Sequence, residues 1–164
     1  NIPPDCLLNA AHEMAVALSS TGMIGGQVVD LESEGKPIDA ATLEYIHIYK
    51  TGFLIRACIR CGGILSQATP RQLNSLSRFG AHIGLAFQII DDILDITGDE
   101  KELGKDVGSD LEKDKATYPA LYGLEASRCK ADELVKDSIA CLEEFDNRAD
   151  PLREIARFFV QRTF

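Results

Sequence analysis

The stretch Gly84–Thr97, GLAFQIIDDILDIT, is apolar enough to be buried, yet it carries three aspartates within five positions. At 3.6 residues per turn, Gln88, Asp91, Asp92 and Asp95 fall within an arc of about 100°. Ala81 and Gly84 continue the same stripe with almost no side chain. The other directions hold Ile83, Phe87, Ile89, Ile90, Ile93, Leu94 and Ile96. A helix apolar over most of its circumference belongs inside a protein. Its acidic stripe therefore has to face an internal cavity, and the helices that enclose it must come from the rest of the chain.

Reading outward, the pattern is helix after helix. Asp5, behind Pro3-Pro4, is a candidate N-cap for a long apolar helix reaching about Leu31, and Gly35-Lys36-Pro37 ends it. Asp39 is placed to cap a second long helix running to about Cys61, with Gly62-Gly63 as its stop. Thr69-Pro70 supplies a cap and a proline at the first helical position, opening the acidic helix, which extends to about Ile96. A polar stretch, 97–117, follows. Beyond it the sequence predicts a short helix around Tyr118–Gly123, a helix near Leu124–Phe145 and a last one from Asp150-Pro151 to Arg162. No strand alternation or repeat interrupts this series, so the class is all-α.

Clustered carboxylates in a cavity repel one another and are costly to desolvate unless a cation joins them. Mg²⁺ suits such a place: it takes oxygen ligands, often one or two carboxylates, and completes its shell with water and phosphate oxygens. The bland alternative, a solvated helix face, has little surface available to it here. Lys50, in IHIYKTGFLI, has Ile46 and Leu54 one turn away on either side and needs an anion or a route to water. Thr51 adds a hydroxyl, and Gly52 permits close approach of another backbone. Gln27 and Asp30, in GMIGGQVVD, share a helix face beside Gly22, Gly25 and Gly26, as cavity residues or as a self-satisfied core pair. Lys105 and Lys115, on the loop after the acidic helix, are point charges of the kind that bind phosphate.

The chain of 164 residues is one domain or part of one, with 45% hydrophobic residues and a formal net charge of -9. That charge argues against nucleic acid or an anionic membrane surface as partner, since both demand basic patches. The run Phe79–Ile90 is too short to span a bilayer and ends at two aspartates. Five cysteines include a single C-x-x-C, Cys58 and Cys61, without a nearby histidine; this reads as two buried, reduced thiols rather than a zinc or redox site. The opening, NIPPDCLLNAAHEMAVALSS, reads like the interior of a helical domain, which predicts that an N-terminal part precedes it.

Taken together, FQIIDDILD, GKDVGSD and DKATYP resemble the second aspartate-rich motif and following loop of the trans-isoprenyl diphosphate synthases. Upstream, GMIGGQVVDL and YKTGFLIRACIRCGG are similar to the preceding helices of that family. The resemblance covers essentially the whole chain, 1–164, as the C-terminal part of a single polyprenyl synthase domain. It implies a bundle of long antiparallel helices around a central cavity, the isoprenoid synthase fold, usually as a homodimer. It also implies Mg²⁺-dependent prenyl transfer from an allylic diphosphate to isopentenyl diphosphate, giving a short-chain product such as farnesyl or geranylgeranyl diphosphate.

Carried over by the resemblance, Lys50, Thr51, Gln88, Lys105 and Lys115 correspond to contacts around the allylic diphosphate. Asp91 matches the position of direct Mg²⁺ coordination, while Asp92 and Asp95 complete the motif through water or indirect contacts. Gln27 and Asp30 match positions near the metals and diphosphate, with Asp110 close by. The family's first aspartate-rich motif, its paired arginines and its basic residues for isopentenyl diphosphate are not in this sequence. Roughly the N-terminal half of such a domain is therefore expected to lie outside the chain, and these 164 residues alone are expected to be inactive. The competing expectation is a non-catalytic subunit that regulates an intact synthase, although such a subunit should lose the site's aspartates and lysines. A terpene cyclase fits less well, because cyclases usually carry a different second metal motif. Reduced cysteines suggest the cytosol, with the plastid stroma as the other compartment.

Overall fold

The computed structural model describes residues 2–97 and 116–161, and every regular element among them is helical. The organising element is the acidic helix, here α5 (Pro70–Thr97), whose 28 residues extend about 42 Å. Before it come α1 (Pro4–Leu18), α2 (Met23–Ser33), α3 (Ala40–Ile46), a π-helical segment His47–Gly52, and α4 (Phe53–Leu65). After it come α6 (Tyr118–Tyr122), α7 (Leu124–Ala140), a 3-10 turn at Asn147–Ala149, and α8 (Asp150–Gln161). Phe79, Ile83, Ile89, Ile90 and Ile93 of α5 form the core with Ala131, Leu134 and Val135 of α7, Leu142, and Ala156 of α8. Ile89 and Ile93 are fully buried, as their apolar rows require.

Two predicted caps form as written. Asp39 Oδ1 accepts the Thr42 amide at 2.8 Å, and Thr69 exchanges bonds with Gln72 in a capping box that starts α5. Four predicted boundaries change, one of them the helix expected to reach Phe145, which ends at Ala140. The expected single helix from Asp5 to Leu31 is two, because the Ser19-Ser20-Thr21-Gly22 turn diverts hydrogen bonds from the helix. Ser19 Oγ bonds Val16 O at 2.8 Å and lies 2.9 Å from the Thr21 hydroxyl. Pro3, not Asp5, occupies the N-cap, and Asp5 sits in the first turn. Helix α4 runs past Gly62-Gly63 to Leu65; Gln67, at φ 57°, takes the left-handed role expected of glycine.

By length and composition alone, Pro4–Ser33 is apolar enough to cross a membrane. The break leaves helices of 15 and 11 residues, both short of the roughly 20 needed to span. Leu7, Leu8, Leu18, Ile24, Val28 and Leu31 remain exposed on this pair. All five thiols are free, but Cys58 is exposed rather than buried. Burial raises the Cys61 and Cys141 thiols above their ordinary pKa, which keeps them protonated and unreactive.

The predicted second helix contains the largest surprise. Between α3 and α4 the chain winds as a π-helix, with the Phe53 amide donating to Ile48 O, five residues back. This widened turn carries Lys50 and Thr51 and brings Gly52 against α5. A Cβ on Gly84 would lie 2.8 Å from the Gly52 Cα, so position 84 needs glycine for the backbones to approach this closely.

Candidate functional site

Helix α2, the α3–π junction, the C-terminal part of α5 and Ala116 enclose a cavity of about 130 Å³. Leu43 and Ile46 form buried apolar wall. Its polar lining includes Asp30, Glu34, His47, Lys50, Gln88, Asp91 and Asp92. Four carboxylates thus share the cavity with one lysine and one histidine among the described residues.

The lysine arrives there because α2 sits directly on the π segment. A Cβ at Gly26 would be 2.2 Å from the Lys50 backbone nitrogen, so only glycine allows this contact. Asp30 lies one turn after Gly26 and therefore faces the same way. Its Oδ2 accepts from Lys50 Nζ at 2.6 Å, which holds the ammonium at the cavity edge. Gln27 lies about 100° from Gly26 around α2, and its side chain is exposed. The expected Gln27–Asp30 pair is thus split: Asp30 enters the cavity and Gln27 does not line it. Thr51 is half-buried beside Lys50 and is also outside the lining, while Ile46 lines it and Leu54 does not.

The three aspartates of α5 occupy three different environments. Asp91 is half-buried and faces the cavity with Gln88, one turn earlier. Asp92, 9% exposed, accepts the Tyr118 backbone amide at 2.7 Å and lies 3.3 Å from His47 Nε2. Asp95, 2% exposed, is buried outside the lining. Among the described residues no three His, Cys, Asp or Glu side chains converge to enclose a metal ion by themselves. The donors are four carboxylates, with the one imidazole set against Asp92, in a space open to further ligands. They fit Mg²⁺, which binds through one or two carboxylates with water and phosphate, and do not fit a closed zinc centre.

His47 and Glu34 are polar lining residues that sequence reasoning missed, and His47 is the more deeply buried. His47 precedes Lys50 by three positions, a spacing that shares a helix face, and that was the available signal. Its imidazole is 4% exposed, and Nδ1 has no hydrogen-bond partner among the described residues. Lys105, Lys115 and Asp110 lie outside the described residues.

The family model described as Polyprenyl synthetase matches residues 8–154. The chain is 44% identical over 163 residues to a geranylgeranyl diphosphate synthase of Cyanophora paradoxa, covering 99% of this chain and 54% of that protein. It is 46% identical over 129 residues to the farnesyl diphosphate synthase of Geobacillus stearothermophilus, covering 79% of this chain and 43% of that protein. Its fold is similar to a crystal structure of a geranyltransferase from Helicobacter pylori complexed with magnesium and isoprenyl diphosphate. That likeness has a TM-score of 0.80 at 28% identity, covering 98% of this chain and 52% of that one. The chain spans about half the length of the curated relatives it matches, and the matched part is their C-terminal part.

Proposed function

This chain belongs to the polyprenyl synthetase family, and from that premise we propose that it forms the diphosphate-binding half of a short-chain prenyltransferase. The reaction joins an allylic diphosphate to isopentenyl diphosphate: the allylic C–O bond breaks, the isopentenyl double bond attacks the allylic carbon, and a proton leaves. The observation that carries this reading is the meeting of Lys50, Gln88 and Asp91 at one cavity from the π segment and α5.

In this reading Lys50, held by Asp30, supplies a fixed positive charge for a diphosphate oxygen, and the Gln88 amide donates to another. Thr51, next to Lys50 in the chain but outside the cavity lining, is proposed as a further diphosphate contact. Asp91 would hold Mg²⁺, with Asp92 and Asp95 acting indirectly; the bound metal supplies charge neutralisation for the departing diphosphate. Leu43 and Ile46 keep water from the reacting end. Lys105 and Lys115 are proposed as further diphosphate contacts, and Gln27 at most as an outer one. The proposed partners are the two diphosphates and a second copy of the chain, docked through the exposed apolar face of α1 and α2. The proposed compartment is the cytoplasm or the plastid stroma. Retention of lysine, glutamine and aspartate in one cavity favours an enzyme over a regulatory subunit, which needs none of them.

The test is a prenyl-transfer assay on the whole protein. Asp91→Ala is expected to lower turnover by about 100-fold or more, with a melting temperature near that of the parent. Chelation of divalent metal is expected to abolish turnover reversibly. A near-normal rate for Asp91→Ala would remove the metal role from this residue.

A further inference from the structure

Asp92 is placed in the metal motif by its position in DDILD, but its surroundings differ from those of Asp91. One oxygen, Oδ2, accepts the Tyr118 amide at 2.7 Å and has His47 Nε2 3.3 Å away. The imidazole also stacks on the Tyr118 ring, with centroids 6.5 Å apart and planes 23° from parallel. Three elements distant in sequence therefore meet at one carboxylate: the π segment, α5 and the start of α6. Tyr118 is the first residue of α6, so its N–H has no partner within its own helix. Thr117, buried at 3%, spends its hydroxyl on the Ala120 amide, leaving Asp92 to satisfy Tyr118.

We propose that Asp92 is an anchor rather than a metal ligand: with His47 as its positioning residue, it fixes residues 116–118 to α5. The anchor sets the cavity wall at Ala116, on the side reached by the π segment and α5. A carboxylate oxygen already accepting the Tyr118 amide, with His47 Nε2 3.3 Å away, on a residue only 9% exposed, is poorly placed to join a hydrated Mg²⁺. His47 places Nε2 3.3 Å from Asp92 Oδ2, and its ring is held by burial and by stacking on Tyr118. Asp91, one position earlier, points into the cavity and remains the carboxylate for the metal. This assignment rests on the proposed function only where it speaks of metal; the anchor itself stands on geometry.

Amide hydrogen exchange at Tyr118 tests it without ligand or turnover. Asp92→Ala is expected to accelerate Tyr118 exchange by about 10- to 100-fold, the effect of losing a hydrogen bond to a charged group. Asp92→Asn keeps an acceptor oxygen and is expected to restore part of the protection, whereas Asp91→Ala leaves the rate unchanged. His47→Ala is expected to accelerate exchange less than Asp92→Ala does. A companion titration of the whole protein with inorganic diphosphate and Mg²⁺ is expected to be weakened by Asp91→Asn far more than by Asp92→Asn. Unchanged Tyr118 exchange in Asp92→Ala overturns the anchor. Equal acceleration by Asp91→Ala also overturns it, since the effect is then not local. If Asp92→Ala does not fold, Asp92→Asn against His47→Ala carries the test, and wild-type exchange in both overturns it. Failure of the titration alone with protected Tyr118 would strike the proposed function and leave the anchor intact.

Discussion

Lys50 and Asp30 come from segments twenty positions apart, and their contact is the clearest single link between α2 and the cavity. The Asp30 side chain is 12% exposed and that of Lys50 is 30% exposed, so neither charge is fully hydrated. Lys50→Met removes the ammonium beside a mostly buried carboxylate and is expected to cost about 1–3 kcal/mol. Adding Asp30→Asn should recover part of that loss, and a double-mutant cycle by chemical denaturation measures the coupling. The same logic separates the aspartates of α5. Adjacent residues on a helix differ by about 100° in direction, enough to face Asp91 to the cavity and leave Asp92 at its edge, bonded to Tyr118. The motif was visible in the sequence, but the division of labour within it was not, because Tyr118 is twenty-six positions away.

At the scale of elements, helix contacts are set by where side chains are absent and where charges pair. Gly84→Ala puts a methyl 2.8 Å from the Gly52 Cα, where backbone cannot yield cheaply. A loss of about 1–3 kcal/mol is expected, read from the denaturation midpoint, with disturbance of the π segment that carries Lys50. Between α1 and α4, Arg60 grips Glu13 through two bonds of 2.8 and 2.6 Å. That hydrogen bonding, with the nearby charge of Arg60, holds the Glu13 carboxyl below its ordinary pKa and raises Arg60. A lowered folded-state pKa means stabilisation present above the unfolded glutamate range and lost as pH falls through the folded value. Glu13→Gln is therefore expected to cost about 1–2 kcal/mol at pH 7. The difference should shrink toward zero in acid below the ordinary glutamate range, as thermal melts across pH would show. Helix existence was legible throughout from apolar periodicity and caps. The α1–α2 break was signalled by SSTG, whereas the π segment has no periodic signature because its extra residue is inserted by packing against α5.

For the whole molecule, the exposed apolar row of α1 and α2 sets the expectation about assembly. A chain of net charge -9 that leaves Leu7, Leu8, Val28 and Leu31 in water has a surface suited to burial against another apolar surface. Replacing Leu8 and Val28 together with lysine and aspartate is expected to shift the proposed homodimer to monomer, as sedimentation equilibrium of the whole protein measures. Unchanged mass would place the contact elsewhere. The tertiary arrangement also gives meaning to the charge: acidic side chains gathered at a cavity favour polyanion binding only when a cation comes between.

The all-α class, the burial of α5 and the presence of an acidic stripe were legible in the order of residues, because these follow from local periodicity and the cost of burying charge. So was the family resemblance, carried by motifs whose order is linear. Tertiary structure alone decided that Asp30 and not Gln27 meets Lys50, that His47 belongs to the site, and that Asp92 turns to Tyr118. Those choices depend on which helix lies against which, and a contact of 2.6 Å between distant segments is written in no local pattern.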